Sequence, residues 1–280
     1  MTEESPALYV VPTPLGNLAD ITPRAVDTLR AVDWVACEDT RHSAPLLKRF
    51  GGSARLMAAH EHNEEAAAQQ VIARLNEGES VALVCDAGTP AISDPGARLV
   101  ARVRAAGHRV VPLPGPCAAV TALSASGLAE PRFLFYGFPP AKAQQRENAL
   151  RELSGLPHAL VFYEAPHRIM ETVAALLAVF GPERTLVLAR ELTKLFETIH
   201  VCPLGEAPDW LAADANRQRG EFVLIVSGAP PTPPDDAEGE RVLKLLLDEG
   251  LPVKQAARLA HAITGAAKKT MYEMALRRRG

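Results

Sequence analysis

Short apolar runs alternate with longer amphipathic stretches along the first 130 residues. The apolar runs predict strands at 7–12, 34–37, 54–58, 81–86 and 109–113. The stretches between them predict helices at 23–31, 43–50, 64–77, 95–106 and 117–126. Strands that alternate with helices form βαβ units, so we expect a mostly parallel sheet here.

The alternation resumes after residues 127–131, which predict a joint between two lobes. The second lobe begins with the aromatic run 132–140. Further strands are predicted at 158–163, 185–190, 197–202 and 221–227, and helices at 143–153, 167–180 and 205–214. A Pro-rich linker at 229–236 leads to three short helices at 238–249, 253–262 and 265–278. The turn at Thr264–Gly265 suits a helix-turn-helix-like hairpin.

This pattern predicts a two-lobed α/β fold with a small helical extension. We expect an N-terminal α/β domain at 1–128, a second α/β domain at 129–228 and the extension at 238–280. A chain of 280 residues, 48% of them hydrophobic, has enough apolar surface for one large core or two modest ones.

Charge is distributed unevenly along the chain. The overall net charge is −3. Residues 241–280 hold nine Lys and Arg residues against three acidic ones, which gives this tail +6 and leaves −9 for the remainder. Such asymmetry is typical of a nucleic-acid contact surface, although a solvated basic helix end would produce the same count.

Other compositional features narrow the class of protein. Only 5% of residues are aromatic, which argues against reading single-stranded bases mainly by stacking. The four cysteines are widely scattered without metal-like spacing. No signal-peptide pattern or apolar run near the ~20 residues of a membrane span is evident. We therefore expect a cytoplasmic protein without a membrane partner.

The most informative segment is 81–96. A β-branched run ends on Asp86, and a loop of small residues follows before helical periodicity returns near Gly96. Ligands in open α/β sheets bind beyond the carboxyl ends of the strands, where this loop would lie. The segment matches neither a dinucleotide fingerprint nor a phosphate-binding P-loop. A plain Asx turn leading to a helix capped by Asp94, with Pro95 at its first position, remains an alternative.

Several motifs recur in an order that resembles the tetrapyrrole methylase superfamily. They are the strand-loop segments 8–24, 81–96 and 110–127 together with Trp34–His42 and Leu160–Arg168. The resemblance covers roughly residues 7–228. It is greatest to the branch of ribosomal RNA small-subunit methyltransferases, which methylate the ribose 2′-hydroxyl of a cytidine in 16S rRNA.

The resemblance implies a fold and a cofactor. The fold is that of class III methyltransferases, with S-adenosylmethionine bound between two α/β lobes. The residues it assigns to the cofactor are Pro14, Ala87, Gly88, Thr89, Ile92, Cys117, Ala118, Glu164 and Leu192. Thr89 replaces an Asp of the tetrapyrrole enzymes, so Asp86 is expected to bind the ribose or the ammonium group instead.

Charged clusters at predicted strand ends are candidates for the acceptor site. We expect Glu38, Asp39, Arg41 and Glu164 to take part in catalysis. The predicted RNA-binding residues are Arg41, His42, Arg168, Lys194, Lys268 and Lys269. Each charged group could instead form an ion pair that fixes a loop. The sequence identifies no general base.

Further alternatives remain open. His60 and His62 could bind a metal, but no further ligand is placed to complete the set, so we expect no metal. The expected partner is 16S rRNA within the small ribosomal subunit, and the expected assembly is a homodimer. A tetrapyrrole methylase and a non-catalytic RNA-binding assembly factor are the competing functions. The Glu38–Arg41 and Tyr163–Arg168 motifs, the basic tail and Thr89 argue against the first, and cofactor motifs in both lobes argue against the second.

Overall fold

The computed structural model describes residues 6–230 and 236–279, so most of the predicted linker and the chain ends 1–5 and Gly280 lie outside the described residues. It divides into two units, 1–228 and 229–280. Within the first unit, the strands form two separate five-stranded sheets.

The first sheet is entirely parallel, as predicted. Its strands lie in the order β3-β2-β4-β1-β5. They are β1 (Ala7–Val10), β2 (Trp34–Cys37), β3 (Arg55–Ala58), β4 (Val81–Leu83) and β5 (Arg109–Pro112). The helices after them are α1 (Pro23–Ala31), α2 (Thr40–Arg49), α3 (Glu64–Asn76), α4 (Ala97–Ala105) and α5 (Ala118–Ala125). Thr22 caps α1, accepting a hydrogen bond from the Ala25 N–H at 3.2 Å, and Pro23 occupies the first helical position.

Both faces of the first sheet are buried. Val35 and Cys37 point into one apolar cluster, whereas Ala36 points into the other. This alternation is the period-two pattern of a strand covered on both sides by helices. The carboxyl ends of all five strands therefore meet at one edge, where the loops after them are gathered.

The second sheet is mixed rather than parallel. Its strands lie in the order β6-β7-β10-β8-β9, and only β6 and β7 are parallel to each other. They are β6 (Phe133–Gly137), β7 (Ala159–Glu164), β8 (Thr185–Arg190), β9 (Thr198–Pro203) and β10 (Phe222–Val226). The helices are α6 (Ala143–Leu153), α7 (Ile169–Phe180) and α8 (Ala207–Ala212). β8 and β9 are antiparallel because residues 191–197 join them directly, which permits a hairpin but no helical crossover.

Helix α5 packs on the second sheet although it follows the first in sequence. Ala119 and Ala122, both at most 3% exposed, lie in one apolar cluster with Val161 and Val223 of that sheet. The Ala119 N–H donates to the Tyr163 hydroxyl at 3.1 Å. This helix therefore connects the two lobes and sets how closely they approach each other.

The C-terminal unit consists of α9 (Asp236–Asp248), α10 (Val253–Thr264) and α11 (Lys268–Arg279). Its own apolar cluster contains Leu243, Ala257 and Met271. Gly265 ends α10 with a φ of +73°, a conformation that glycine adopts without strain. The predicted hairpin between the last two helices is thus present. Within 6–230 and 236–279, none of the helices combines the length and apolar character that crossing a bilayer requires.

The packing of α5 generates a first prediction. Ala122 is fully buried between the helix and the sheet, so Ala122→Leu should overpack the junction and lower the free energy of unfolding by about 1–3 kcal/mol. Denaturant titration would measure the loss. Val120→Leu on the exposed side of the same helix is the matched control, since Val120 is 55% exposed. Equal stability of the two variants would contradict this account of the junction.

Candidate active site

Hydrogen bonds hold three strand-end loops of the first lobe together. Thr13 and Gly88 exchange backbone hydrogen bonds of 2.8 and 3.0 Å, and the Thr13 hydroxyl donates to the Cys85 carbonyl at 3.0 Å. The Thr89 hydroxyl donates to the Pro116 carbonyl at 2.8 Å. Gly88 has a φ of +87°, which a side chain would strain. The loops after β1, β4 and β5 therefore form one surface.

A cavity of about 450 Å³ lies between this surface and the second sheet. The first lobe contributes strand-end loops and the first turn of α5, and the second lobe contributes β7, β8, β10 and the loops beside them. The lining residues are Leu15, Glu38, 86–89, 92–94, Cys117, Ala118, Phe138, 163–166, Ala189, Leu192 and 221–223. Its size is typical of a small-molecule site.

Three carboxylates stand on the first-lobe side of the cavity. Burial, together with the charges of Glu38 and Asp86, raises the pKa of Asp94 to about 6. Burial and the Asp86 charge also raise the pKa of Glu38. The cavity therefore carries a negative potential that favours a cationic ligand.

Asp94 does not cap a helix, contrary to the alternative considered from the sequence. Helix α4 begins at Ala97, and the N-cap position belongs to Gly96, whose N–H donates to the Glu64 carboxylate at 2.5 Å. Because Glu64 satisfies the helix end, the Asp94 side chain is left to face the cavity. Ala91 and Ser93 take left-handed φ values of +67° and +64°, which turn this segment sharply.

Most residues expected to bind the cofactor are brought together. Nine of them line the cavity: Asp86, Ala87, Gly88, Thr89, Ile92, Cys117, Ala118, Glu164 and Leu192. Pro14 is buried beside the cavity, and its neighbour Leu15 forms the wall instead. Of the residues expected at the acceptor site, Glu38 also lines the cavity.

Asp39 serves as a helix cap. Its carboxylate accepts from the Arg41 N–H at 2.8 Å and binds the Arg41 guanidinium at 3.1 and 2.7 Å. These hydrogen bonds lower the pKa of Asp39 to about 2, so it is a poor proton acceptor. Asp39 thus holds the start of α2, and its expected part in catalysis stays a prediction. Arg41 and His42 are exposed on α2.

Glu164 and Arg168 are committed to each other and to nearby loops. The Glu164 carboxylate, fully buried, accepts from the Ala165 N–H at 2.8 Å and the Thr172 hydroxyl at 2.5 Å. Arg168 Nε lies 3.3 Å from Glu164 Oε1, and its guanidinium donates to the Pro139 and Pro140 carbonyls. Both side chains are therefore paired within the second lobe, and the expected roles of Glu164 in catalysis and of Arg168 in RNA binding stay predictions.

Lys194 is likewise paired rather than free. Its ammonium group binds Glu191 Oε1 at 2.9 Å and Glu221 Oε2 at 2.8 Å. Two carboxylates more than neutralise one lysine, so its expected binding to an RNA phosphate is not supported by this arrangement. Lys268 and Lys269 are exposed in the C-terminal unit.

Sequence reasoning missed Asp94 and Tyr163 as cavity residues. The sequence around Asp94 is typical of a helix cap, so nothing in it indicated that the side chain lines the cavity. Tyr163 comes directly before Glu164, but only the packing of α5 shows that its hydroxyl reaches the Ala119 N–H. As for a metal, the His60 and His62 ring centroids are 6.2 Å apart, and no metal-binding cluster of three or more such side chains occurs among the described residues.

Comparisons with known proteins identify the family of this chain. The family described as Tetrapyrrole (Corrin/Porphyrin) Methylases matches residues 7–208, and the RsmI C-terminal HTH domain matches residues 233–279. The chain belongs to the tetrapyrrole methylase family and, within it, to the ribosomal RNA small subunit methyltransferase I family. Its membership makes the chain a methyltransferase, and the methyl donor of these enzymes is S-adenosylmethionine.

Relatives named "Ribosomal RNA small subunit methyltransferase I" match over nearly their full length. The protein from Escherichia coli O157:H7 is 53% identical over 98% of this chain and 96% of its own. That from Pseudomonas aeruginosa is 54% identical over 98% of both. Among solved structures, the methyltransferase CobJ has a TM-score of 0.61 at 20% identity, covering 80% of this chain and 95% of its own. Uroporphyrin-III-C-methyltransferase from Thermus thermophilus has a TM-score of 0.58 at 22% identity, covering 79% and 94%. These structural likenesses show the fold alone.

The acidic cavity generates a prediction about pH. The Asp94 carboxyl, with a pKa of about 6, gains a proton as the pH falls from about 8 to about 5, so affinity for cationic S-adenosylmethionine should fall over that range. Asp94→Asn should weaken binding about tenfold near pH 8 and remove most of this dependence. Calorimetric titration would measure both effects, with the exposed Asp27→Asn as the control.

Asp94→Asn should raise the stability of the ligand-free protein, although it lowers cofactor affinity. Since the folded state raises the pKa of Asp94, the protonated form is favoured on folding, and stability is lost as the pH rises through about 6. Asp94→Asn should therefore melt higher than the parent near pH 8 and equally near pH 4. A variant that melts lower at both values would show that Asp94 stabilises the fold as a charged group.

Proposed function

We propose that this chain is an S-adenosylmethionine-dependent methyltransferase acting on the ribose 2′-hydroxyl of a cytidine in 16S rRNA of the small ribosomal subunit. The observation that carries the proposal is the near full-length identity of about half to ribosomal RNA small subunit methyltransferase I proteins. The cavity between two lobes, acidic on one side, supports the cofactor assignment. The structures of porphyrin enzymes are too distant in sequence to favour a tetrapyrrole acceptor.

The cavity residues fit S-adenosylmethionine by chemistry. Asp86 and Asp94 suit its positive sulfur and ammonium group. Ile92, Leu192 and Phe138 offer apolar surface for the adenine ring. Cys117 and Ala118 start α5, so the positive end of that helix suits the carboxylate.

Methyl transfer requires alignment, exclusion of water and removal of one proton. When bound, the cofactor supplies an electrophilic methyl group on positively charged sulfur. Glu38 is our candidate for accepting the 2′-hydroxyl proton, because it lines the cavity and burial raises its pKa, which makes it a stronger base than an ordinary carboxylate. Arg41 is exposed on the helix beside Glu38, and a phosphate bound there would share its guanidinium with Asp39.

Transfer of a radiolabelled methyl group tests the proposed function. The acceptors would be intact small subunits, naked 16S rRNA and a porphyrin precursor, and nucleoside analysis would identify the product. We expect label on a 2′-O-methylcytidine of the rRNA. Glu38→Gln should lower transfer by about 100-fold, the scale of general-base catalysis, and should lower cofactor affinity far less, since Asp86 and Asp94 keep the cavity acidic. Label on the porphyrin alone would refute the proposal.

A small residue at the start of α5 leads to a prediction for the cofactor site. Ala118 lines the cavity where a ligand must approach the backbone closely. Ala118→Phe should abolish S-adenosylmethionine binding in calorimetry by filling the cavity. Val120→Phe, at an exposed position of the same helix, should bind as the parent does. Unchanged affinity in the Ala118 variant would place the cofactor elsewhere.

The C-terminal unit carries a second, basic surface. A shallow cavity of about 500 Å³ is lined by Lys254, Ala257, Lys268, Lys269 and Tyr272, without an acidic residue. Three lysines and an exposed tyrosine suit RNA phosphates and bases. We assign RNA affinity rather than chemistry to this surface. The side chains of Arg278 and Arg279, which contribute to the basic tail, lie outside the described residues.

Salt dependence tests this assignment. Replacing Lys268 and Lys269 by Gln should reduce the salt slope of subunit binding by about 0.7–0.9 for each phosphate that these lysines neutralise, leaving cofactor affinity unchanged. Filter binding over a range of salt concentrations would measure the slope. Lys244→Gln with Arg241→Gln, on α9, removes the same charge outside this cavity and serves as the control. A parent-like slope in the first variant would exclude the surface from RNA binding.

We further propose that the enzyme acts in the cytoplasm as a homodimer. Small ribosomal subunits are assembled in the cytoplasm of bacteria. The relatives named above come from bacteria, and their names describe methylation of small-subunit RNA. Sedimentation velocity of the full chain would determine its mass in solution.

A further inference from the structure

The loop at 191–197, between β8 and β9, reaches from the cavity to solvent. Leu192 lines the cavity and is 7% exposed. Leu195 and Phe196, at the tip of the same loop, are 90% and 68% exposed. Exposing two adjacent large apolar side chains to water is unfavourable in free energy. The tip of the loop is therefore a candidate contact surface.

The loop holds its tip in a fixed position. The Thr193 N–H donates to Glu197 Oε2 at 2.6 Å, and the Glu197 N–H donates to the Lys194 carbonyl at 3.1 Å. Lys194 is fastened to Glu191 and Glu221 at 2.9 and 2.8 Å. Glu191 and Thr193 take left-handed φ values of +52° and +66°, which these bonds maintain. The exposure of Leu195 and Phe196 is thus built into an ordered loop.

The loop also reaches the first lobe beside the cavity. A Cβ atom placed on Gly16 would overlap Lys194 Cγ, so the lysine stem lies directly against the loop that follows β1. Leu15 of that loop and Leu192 both line the cavity. The apolar tip therefore stands at the edge of the cavity, where an acceptor too large to enter it would have to lie.

An exposed arginine belongs to a segment whose backbone lies next to the apolar tip. Arg190 donates to the Phe196 carbonyl at 3.1 Å and to the Arg219 carbonyl at 3.1 Å, so these two backbone carbonyls are separated by the width of one guanidinium group. Arg219 is exposed and donates to Asn216 Oδ1 at 3.3 Å. An apolar pair beside an arginine matches a base next to its phosphate.

We infer that Leu195 and Phe196 form a wedge that stacks on RNA bases next to the acceptor nucleotide, while Arg219 binds an adjoining phosphate. The inference rests on the proposed function. A nucleotide whose ribose must reach a cavity between two lobes has to leave its base stack. Apolar side chains that take the place of a neighbouring base reduce the cost of that step. The wedge is thus a positioning element.

The test compares full-length variants on intact small subunits. Leu195→Ser combined with Phe196→Ala should lower kcat/KM by roughly 10- to 100-fold, the range expected when base stacking is removed. Affinity for S-adenosylmethionine and the mass in sedimentation should not change. The single variant Phe196→Tyr, which keeps an aromatic ring, should retain most of the parent's activity. Val201→Ala is the matched control, because Val201 is 48% exposed on β9 of the same hairpin.

The outcomes separate this inference from the proposed function. Parent-like kcat/KM in the double variant, with a parent chain that methylates subunits, would overturn the wedge and leave the function intact. Activity that falls only together with a change in mass would overturn it in favour of an interface between copies of the chain. A parent chain that transfers no methyl group to rRNA would overturn both. Arg219→Gln should weaken subunit binding and reduce its salt slope by nearly one, and an unchanged slope would exclude Arg219 from RNA binding.

Discussion

Helix α5 follows the first sheet in sequence but packs against the second. The residues on its packed face include Ala119 and Ala122, which are small enough for the helix to lie close to Val161 and Val223. The first turn of the same helix provides Cys117 and Ala118 to the cavity wall. The packing of one helix therefore determines the distance between the strand-end loops of one lobe and the sheet of the other. A cavity of this shape exists only while that packing is intact.

The acidic side of the cavity is maintained at a cost to the empty protein. Three carboxylates repel one another, and burial raises the pKa of Glu38 and Asp94. A cationic ligand reduces both the repulsion between the carboxylates and the cost of their burial, because it places a positive charge beside them. The strained backbone at Ala91 and Ser93 adds to this cost and serves to direct Asp94 into the same space. Stability and binding are thus opposed at these positions.

Charged residues next to a strand end could not be assigned to chemistry or structure from sequence alone. Glu38 and Asp39 are adjacent, yet the first lines the cavity and the second caps α2. Arg168 and Lys194 carry the charge expected of phosphate ligands, but buried or paired carboxylates already bind them. The deciding quantity is the set of partners within hydrogen-bonding distance, which depends on residues far away in sequence such as Glu221 and Pro139.

The sequence by itself determined the order and approximate bounds of the strands and helices, because hydrophobic periodicity and capping residues such as Thr22 act locally. Together with its motifs, it also indicated the family and nine residues that line the cavity. Tertiary structure decided the antiparallel order of the second sheet, the packing of α5 and the cavity position of Asp94. These features arise from interactions between distant segments, such as Glu64 with Gly96, and local patterns carry no record of them.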